Sequence, residues 1–327
     1  MSTTVAASAV LPDASALAVL AEPIQVTPTG PWQRIRSELA EQASVVLYAH
    51  LADWLPDWLP DQTTPAPAPG PAEHGHLAPQ QQGLGESGAD SAELDGALPQ
   101  LLGRDWQRYR GMTNQEVRAR FLASRLLLKY AAGAVLQARP ADIDLAYKPG
   151  GRPYLRGCDQ VDISLSHTAD LLVVGITRRG WIGVDAELKS RRLLGSAVER
   201  QICTPHETEL ISRIEDGRRN ATLVKLWTLK EAYSKAIGQG LRFRFSEFGF
   251  APGAGRMQVL RPDGTPGSGE EWSFRTWTVA GDYTVSMALF DFGFGDTADI
   301  AAQTMLDEGM VDALLREAAR TEPRPAR

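Results

Sequence analysis

Gly183-Val184-Asp185-Ala186-Glu187 and Trp227-Thr228-Leu229-Lys230-Glu231-Ala232-Tyr233-Ser234-Lys235 bracket the stretch that decides the fold, Trp181 to Leu241. Asp185 and Glu187 stand two apart at the end of an apolar run, so strand alternation points both carboxylates to one side. Trp227, Glu231 and Lys235 are spaced four apart in a helix-like segment and share one helical face. A strand with two acids and a helix with one can together hold a Mg²⁺, which takes oxygen ligands and keeps waters and substrate phosphates in its shell. Lys230 falls about 100° from Glu231 around the helix and reads as a surface residue.

Charge is unevenly distributed around this stretch. Ser37 to Gly103 contains no Lys or Arg and ten acids, whereas Arg104 to Arg152 contains ten cations against four acids. A cationic segment ahead of a carboxylate site points to a polyanionic ligand, held by cations at one end and through a metal at the other. The 327 residues are 43% hydrophobic and 23% charged, which reads as an ordinary soluble globular chain with no sign of a membrane protein and leaves room for one large domain or two lobes. The net charge of -6 gives no reason to expect nucleic acid. Cys158 and Cys203 lack metal-type spacing and fit a reducing cytoplasm.

Met1 to Gly30 has no Lys or Arg, lacks the basic start of a secretory signal, and is expected to be a disordered leader. A short polar helix from Pro31 should precede a buried strand, Ala43 to Ala49. Asp53-Trp54-Leu55-Pro56 repeats once as Asp57-Trp58-Leu59-Pro60, too few copies for a repeat architecture. Gln62 to Gln100, with no aromatic residue, should be a disordered insertion, and its His74 and His76 read as solvated.

Further on, Asn114 to Ala132 is patterned as an amphipathic helix with basic edges, ended by Gly133. Lys148 to Leu155 is a glycine-containing turn running into a strand, where the backbone can approach a ligand closely. Val161 to Thr168 alternates as a strand and ends on Ser166-His167-Thr168, a candidate phosphate contact. Leu171 to Thr177 and Trp181 to Leu188 read as a hairpin that delivers Asp185 and Glu187. Asp299 to Ala319 is patterned as one more amphipathic helix, packed on its own domain.

Together, Ser166-His167, the segment Gly183 to Glu187 and the segment Trp227 to Lys235 resemble the motif set of the surfactin-type 4'-phosphopantetheinyl transferases. Gly151-Arg152-Pro153-Tyr154-Leu155 and the helix around Arg120 to Lys129 are also similar to that family. The resemblance covers roughly Val45 to Phe290, and spaced motifs that agree are far more specific than one alone.

It implies an α+β monomer of two similar lobes related by a pseudo-twofold, with CoA in the cleft between them. The lobes would span 31–180, interrupted by the insertion at 61–100, and 181–290, between a leader at 1–30 and a C-terminal helix and tail at 291–327. The implied reaction moves the phosphopantetheine arm of CoA onto a serine of an acyl or peptidyl carrier protein in the cytoplasm. It depends on Mg²⁺ and releases adenosine 3',5'-bisphosphate.

By resemblance, Asp185, Glu187 and Glu231 are the metal carboxylates, and Asp185, Glu231 and Lys235 carry the chemistry. Lys235 also lies near the diphosphate, and Arg120, Arg152, Ser166 and His167 contact the CoA phosphates and adenosine. Glu231 would accept the serine proton, directly or through a metal-bound water. Ser164 stands where relatives often have Asn, and Arg104 and Arg108 match the upstream phosphate-binding cluster loosely. A Mg²⁺-dependent diphosphate hydrolase and a non-catalytic module that binds CoA or carrier protein are the alternatives, although all three acids and Lys235 are retained.

Overall fold

The computed structural model describes residues 21–55, 98–238, 244–250, 257–269 and 271–291. The Asp299–Ala319 helix, the His74/His76 pair, Gln239-Gly240-Leu241 and most of the leader and insertion lie outside them.

The first half is a four-stranded sheet in the order β1-β2-β6-β5, formed by β1 (Ile24–Gln25), β2 (Ser44–His50), β5 (Asp162–Thr168) and β6 (Leu171–Thr177). Two helices, α1 (Trp32–Gln42) and α3 (Gln115–Leu136), belong to it, with a short α2 (Trp106–Arg110) between them. A small hairpin, β3 (Leu145–Tyr147) and β4 (Pro153–Leu155), leads into β5. The second half is a three-stranded antiparallel sheet in the order β10-β11-β7, from β7 (Gly180–Leu188), β10 (Trp272–Val279) and β11 (Tyr283–Asp291). Helices α4 (Ala197–Ile202), α5 (Pro205–Ser212) and the long α6 (Asp216–Ala236) join β7 to the remaining strands, with a two-residue pair, β8 (Gly249–Phe250) and β9 (Val259–Leu260), on the way.

The halves repeat one connectivity. Strand β2, helix α3 and the antiparallel pair β5–β6 correspond in order and pairing to β7, α6 and β10–β11, the middle strand being β6 in one sheet and β11 in the other. The chain is therefore α+β, with the change of sheet falling at Arg178-Arg179.

Alternation explains how the sheets stack. In β2 and β6, Val45, Leu47, Leu172, Val174 and Ile176 face the core of the first half, while Val46, Leu171 and Val173 join Ile182, Val184, Trp277, Val285 and Met287 in a second core between the sheets. Both faces of these two strands are buried, which accounts for their nearly unbroken apolar character. Gly175 sits at the closest approach, where a Cβ would come within 2.7 Å of Val184.

Several local expectations are corrected. Leu171–Thr177 and Trp181–Leu188 do not form a hairpin, because β6 pairs with β5 and β2 while β7 pairs with β11. The stretch read as a leader contributes β1, with Ile24 opposite Leu47 and Val26 fully buried. At the other end of the insertion, Leu98 is helical and packs with Leu102, Tyr109 and Leu122. Gly133 does not end α3, which is capped at its start by Asn114 accepting from the Val117 N–H at 3.0 Å and runs on to Leu136. What Gly133 permits is the return of the chain, since a Cβ there would lie 2.7 Å from the Ala138 carbonyl oxygen.

Lys230 is not a surface residue but fully buried, paired with the equally buried Glu207 at 2.6 Å. Its ammonium also donates to the carbonyls of Phe245 and Phe248, both at 2.7 Å. Glu207 accepts from the N–H groups of Thr204 at 2.9 Å and Phe250 at 2.8 Å, closing a capping box at the start of α5. The charge was legible in the sequence, but not the carbonyls that collect around it. Lys230→Met should lower unfolding free energy by about 3–5 kcal/mol, because Glu207 is left buried and unpaired. Urea denaturation of Lys230→Met beside Lys230→Met/Glu207→Gln measures this. The double variant should be the more stable, and a loss below about 1 kcal/mol, the range of surface pairs, would contradict the assignment.

Candidate active site

Two geometric facts bring β7 and α6 together. Gly183 presents bare backbone to the helix: a Cβ there would lie 1.9 Å from the Ala232 carbonyl oxygen, so only glycine lets α6 lie this close. Asp185 and Glu187 follow on the same face of β7 by strand alternation. On α6, Trp227, Glu231 and Lys235 recur every four residues and open onto one cleft with these two acids.

That cleft, with a volume of ≈ 930 Å³, lies between the two halves. All eight residues singled out in the sequence line it: Arg120, Arg152, Ser166, His167, Asp185, Glu187, Glu231 and Lys235. Arg108, Arg125, Thr168 and Arg191 line it as well. Arg104 does not appear in this lining and instead pairs with Asp144 at 3.1 Å.

The acidic wall is tightly bonded. Asp185 Oδ1 accepts from Lys235 Nζ at 2.7 Å and from Ser166 Oγ at 2.8 Å. Lys235 Nζ also donates to the Val184 carbonyl at 3.1 Å. Glu187 accepts from the Thr168 hydroxyl at 3.0 Å, from the Leu188 N–H at 2.9 Å and from Arg191, whose guanidinium lies over the Trp227 ring. Glu231 differs from both, because burial and the neighbouring Asp185 carboxylate push its pKa up to about 7 against the opposing pull of Lys235 and Arg191.

The opposite wall is cationic and aromatic. Arg125 is buried against Asp105 at 3.1 Å, with its guanidinium over Phe121 and Tyr147. Arg108 also lies over Phe121, and Arg120 reaches the cleft with its Nε buried and unpartnered among the described residues. Desolvation by the cleft walls, then Arg120 and Lys235, hold the His167 imidazole below its ordinary value of 6.5. Arg120 and Lys235 add to the effect of burial by disfavouring a further positive charge on the ring.

The expected metal set is only partly assembled. Among the described residues no group of three His, Cys, Asp or Glu side chains is spaced to hold an ion, and Glu187 is turned to Arg191. The donor chemistry nevertheless fits Mg²⁺: Asp185 and Glu231 are neighbouring carboxylates on one wall that raise each other's cost of ionising, and a divalent cation would relieve that repulsion. Mg²⁺ is commonly held by one or two carboxylates completed by water and substrate phosphate.

Asp162 and Arg191 were not singled out in the sequence, and Thr168 was named only with Ser166 and His167 as a phosphate contact, not as a partner of Glu187. Thr168 and Asp162 share the even-numbered face of β5 with Ser166, a signal that strand alternation contains. Arg191 lies beyond the end of β7, where no periodicity reaches it.

Residues 182–288, from β7 almost to the end of β11, match the family model described as the 4'-phosphopantetheinyl transferase superfamily. Through this segment the chain is similar to that superfamily. A putative 4'-phosphopantetheinyl transferase of Synechocystis is 27% identical over 37% of this chain and 50% of its own length. The 4'-phosphopantetheinyl transferase HetI of Nostoc is 30% identical over 38% of this chain and 54% of its own length. For these two curated relatives the chain spans about half their length. A 4'-phosphopantetheinyl transferase of Bacillus subtilis is 21% identical over 63% of this chain and 89% of its own length.

Filling the cationic end with an anion should raise the pKa of His167, so anion affinity should increase as pH falls through that pKa. An NMR titration of the His167 ring protons with and without inorganic pyrophosphate measures the shift. An unchanged His167 titration at saturating pyrophosphate would show that these cations do not form an anion site.

Proposed function

We propose that the protein transfers the 4'-phosphopantetheine arm of CoA to a serine of an acyl or peptidyl carrier protein, with Mg²⁺, releasing adenosine 3',5'-bisphosphate. The observation that carries this reading is one cleft with arginines and His167 on one wall and the Asp185–Lys235–Glu231 group on the other. CoA has matching chemistry, with a 3'-phosphate at one end of its nucleotide and a diphosphate at the other. The superfamily match covers the acidic wall.

Arg120 and His167 would hold the CoA phosphates, each charge-assisted contact contributing about 1.5–3 kcal/mol. Asp185 and Glu231 would hold the Mg²⁺, which neutralises charge on the diphosphate oxygens when bound. Two of the three N–H donors of Lys235 are used on Asp185 and the Val184 carbonyl, which leaves a third for a phosphate oxygen.

In the reaction, the carrier serine oxygen forms a bond to the phosphorus that bears pantetheine. The bond from that phosphorus to the bridging oxygen breaks, and adenosine 3',5'-bisphosphate leaves with the bridging oxygen and its electron pair. The serine proton passes to Glu231, a carboxylate that opens onto the same cleft. Positioning and electrostatics do most of the work in such transfers. Both walls come from one chain, which suits a monomer. Among the described residues no helix is long and apolar enough to cross a membrane.

Incubated with CoA, Mg²⁺ and an apo carrier protein, the chain should add the arm to the carrier serine, a mass gain read by intact-protein mass spectrometry. Failure on a panel of fatty-acid, polyketide and peptide carriers despite CoA binding would favour the binding module. Phosphopantetheine released without a carrier would favour the hydrolase. Glu231→Gln should lower the transfer rate about 10²–10⁴-fold with the circular dichroism spectrum retained; unchanged turnover would remove Glu231 from the chemistry.

A further inference from the structure

Among the described residues no strand bonds β7 through its backbone on the side away from β11, and the peptide groups of Ile182 and Val184 there are bonded by side chains. The Ile182 N–H donates to the Asp162 carboxylate at 2.8 Å, and the Val184 N–H donates to Ser164 Oγ at 3.0 Å. The carbonyl of Ile182 accepts from Arg152 Nη2 at 2.9 Å, and that of Val184 from Lys235 Nζ at 3.1 Å. Arg152 does more than complete this edge. Its Nη1 donates to the carbonyls of Ala236, at 2.6 Å, and Lys235. These belong to the last turn of α6, where a helix leaves carbonyls unpartnered and favours a cation. Its Nη2 also pairs with Asp162, and the two side chains are only 12% and 13% exposed.

One guanidinium thus ties β5, β7 and the C-terminal turn of α6, and one of its acceptors is the carbonyl of Lys235 itself. It comes from the turn between β3 and β4, where Gly150 and Gly151 have φ of +102° and +88° and the Lys148 N–H bonds the Arg152 carbonyl at 2.9 Å. Nothing lies within 4 Å of a Cβ built at either glycine, so they are needed for backbone conformation and not for a close approach. The resemblance gives Arg152 to the CoA phosphates, but both terminal nitrogens already serve protein acceptors. Its Nε is buried without a partner among the described residues.

We propose that Arg152, held by Asp162, is a positioning residue that sets the last turn of α6 against β7, and with it Lys235 and Glu231 relative to Asp185. Asp162 separates this role from ligand binding, because a carboxylate does not recruit an anion. The kinetic test rests on the transfer reading above, and a second measurement does not.

Arg152→Met and Asp162→Asn should each lower kcat for transfer, Arg152→Met by about 10²-fold, the loss that a misplacement of about 1 Å produces. Both should leave the KM for CoA and its calorimetric affinity unchanged. Arg152→Lys, which reaches fewer of the acceptors, should give an intermediate kcat. Native-state hydrogen exchange should show faster exchange at Ile182, Ile237 and Gly238 in Arg152→Met, with the middle of α3 unaltered. This measurement stands even if the wild type transfers nothing, and it carries the test through Asp162→Asn and Arg152→Lys if Arg152→Met does not fold. A weaker CoA affinity with kcat retained in Arg152→Met would make Arg152 a ligand contact and overturn the proposal. Silence of Asp162→Asn, or unchanged exchange in the variants, would overturn it equally.

Discussion

A buried strand edge must have its N–H and C=O groups bonded, and the outer edge of β7 meets that demand with side chains in place of a strand. Asp162 and Ser164 accept from its N–H groups, while Arg152 and Lys235 donate to its carbonyls. The strand that meets this edge is β5, and it bonds β7 through the side chains of Asp162 and Ser164, so the two sheets stay separate. Because polar side chains complete the edge, the halves are held together and a polar seam opens beside β7. Ser166 and Thr168 extend the same face of β5 to Asp185 and Glu187, so the seam and the acidic wall are one continuous structure.

Electrostatics then divides the cleft. Every cation on the β7 side has a carboxylate or carbonyl partner: Lys235 with Asp185, Arg191 with Glu187, Arg152 with Asp162. On the α3 side Arg125 is paired with Asp105, while the Nε of Arg120 has no acceptor among the described residues and His167 is depressed. Arg108, Arg120 and Arg125 stand at this end of the cleft. At the other, burial beside Asp185 carries Glu231 to about 7.

Much of this was legible in the sequence where the signal is periodic. Alternation put Asp185 and Glu187 on one face of a strand, four-residue spacing put Trp227, Glu231 and Lys235 on one face of a helix, and Asn114 marked the start of α3. The failures share one cause. Lys230 reads as solvated because its partners, Glu207 and the carbonyls of Phe245 and Phe248, come from other segments. Gly133 reads as a stop, but its small size serves a chain that folds back against it. The β6–β7 hairpin was inferred from proximity in sequence, and the interleaved pairing with β5 and β11 is a choice among edges that local pattern does not encode.

From the sequence alone follow the shared face of Asp185 and Glu187, the shared face of Trp227, Glu231 and Lys235, and the resemblance, which implied the α+β class and the members of the basic wall. These depend on residue type and on spacing within single elements, which the chain carries locally. Only the tertiary structure decided that β6 and β7 lie in different sheets, that Glu187 bonds Arg191, and that the two hydrogen-bonding ends of Arg152 serve β7, Asp162 and the last turn of α6. Each of these outcomes is settled by which unpaired backbone and charged groups come within hydrogen-bonding distance once the core between the sheets has closed.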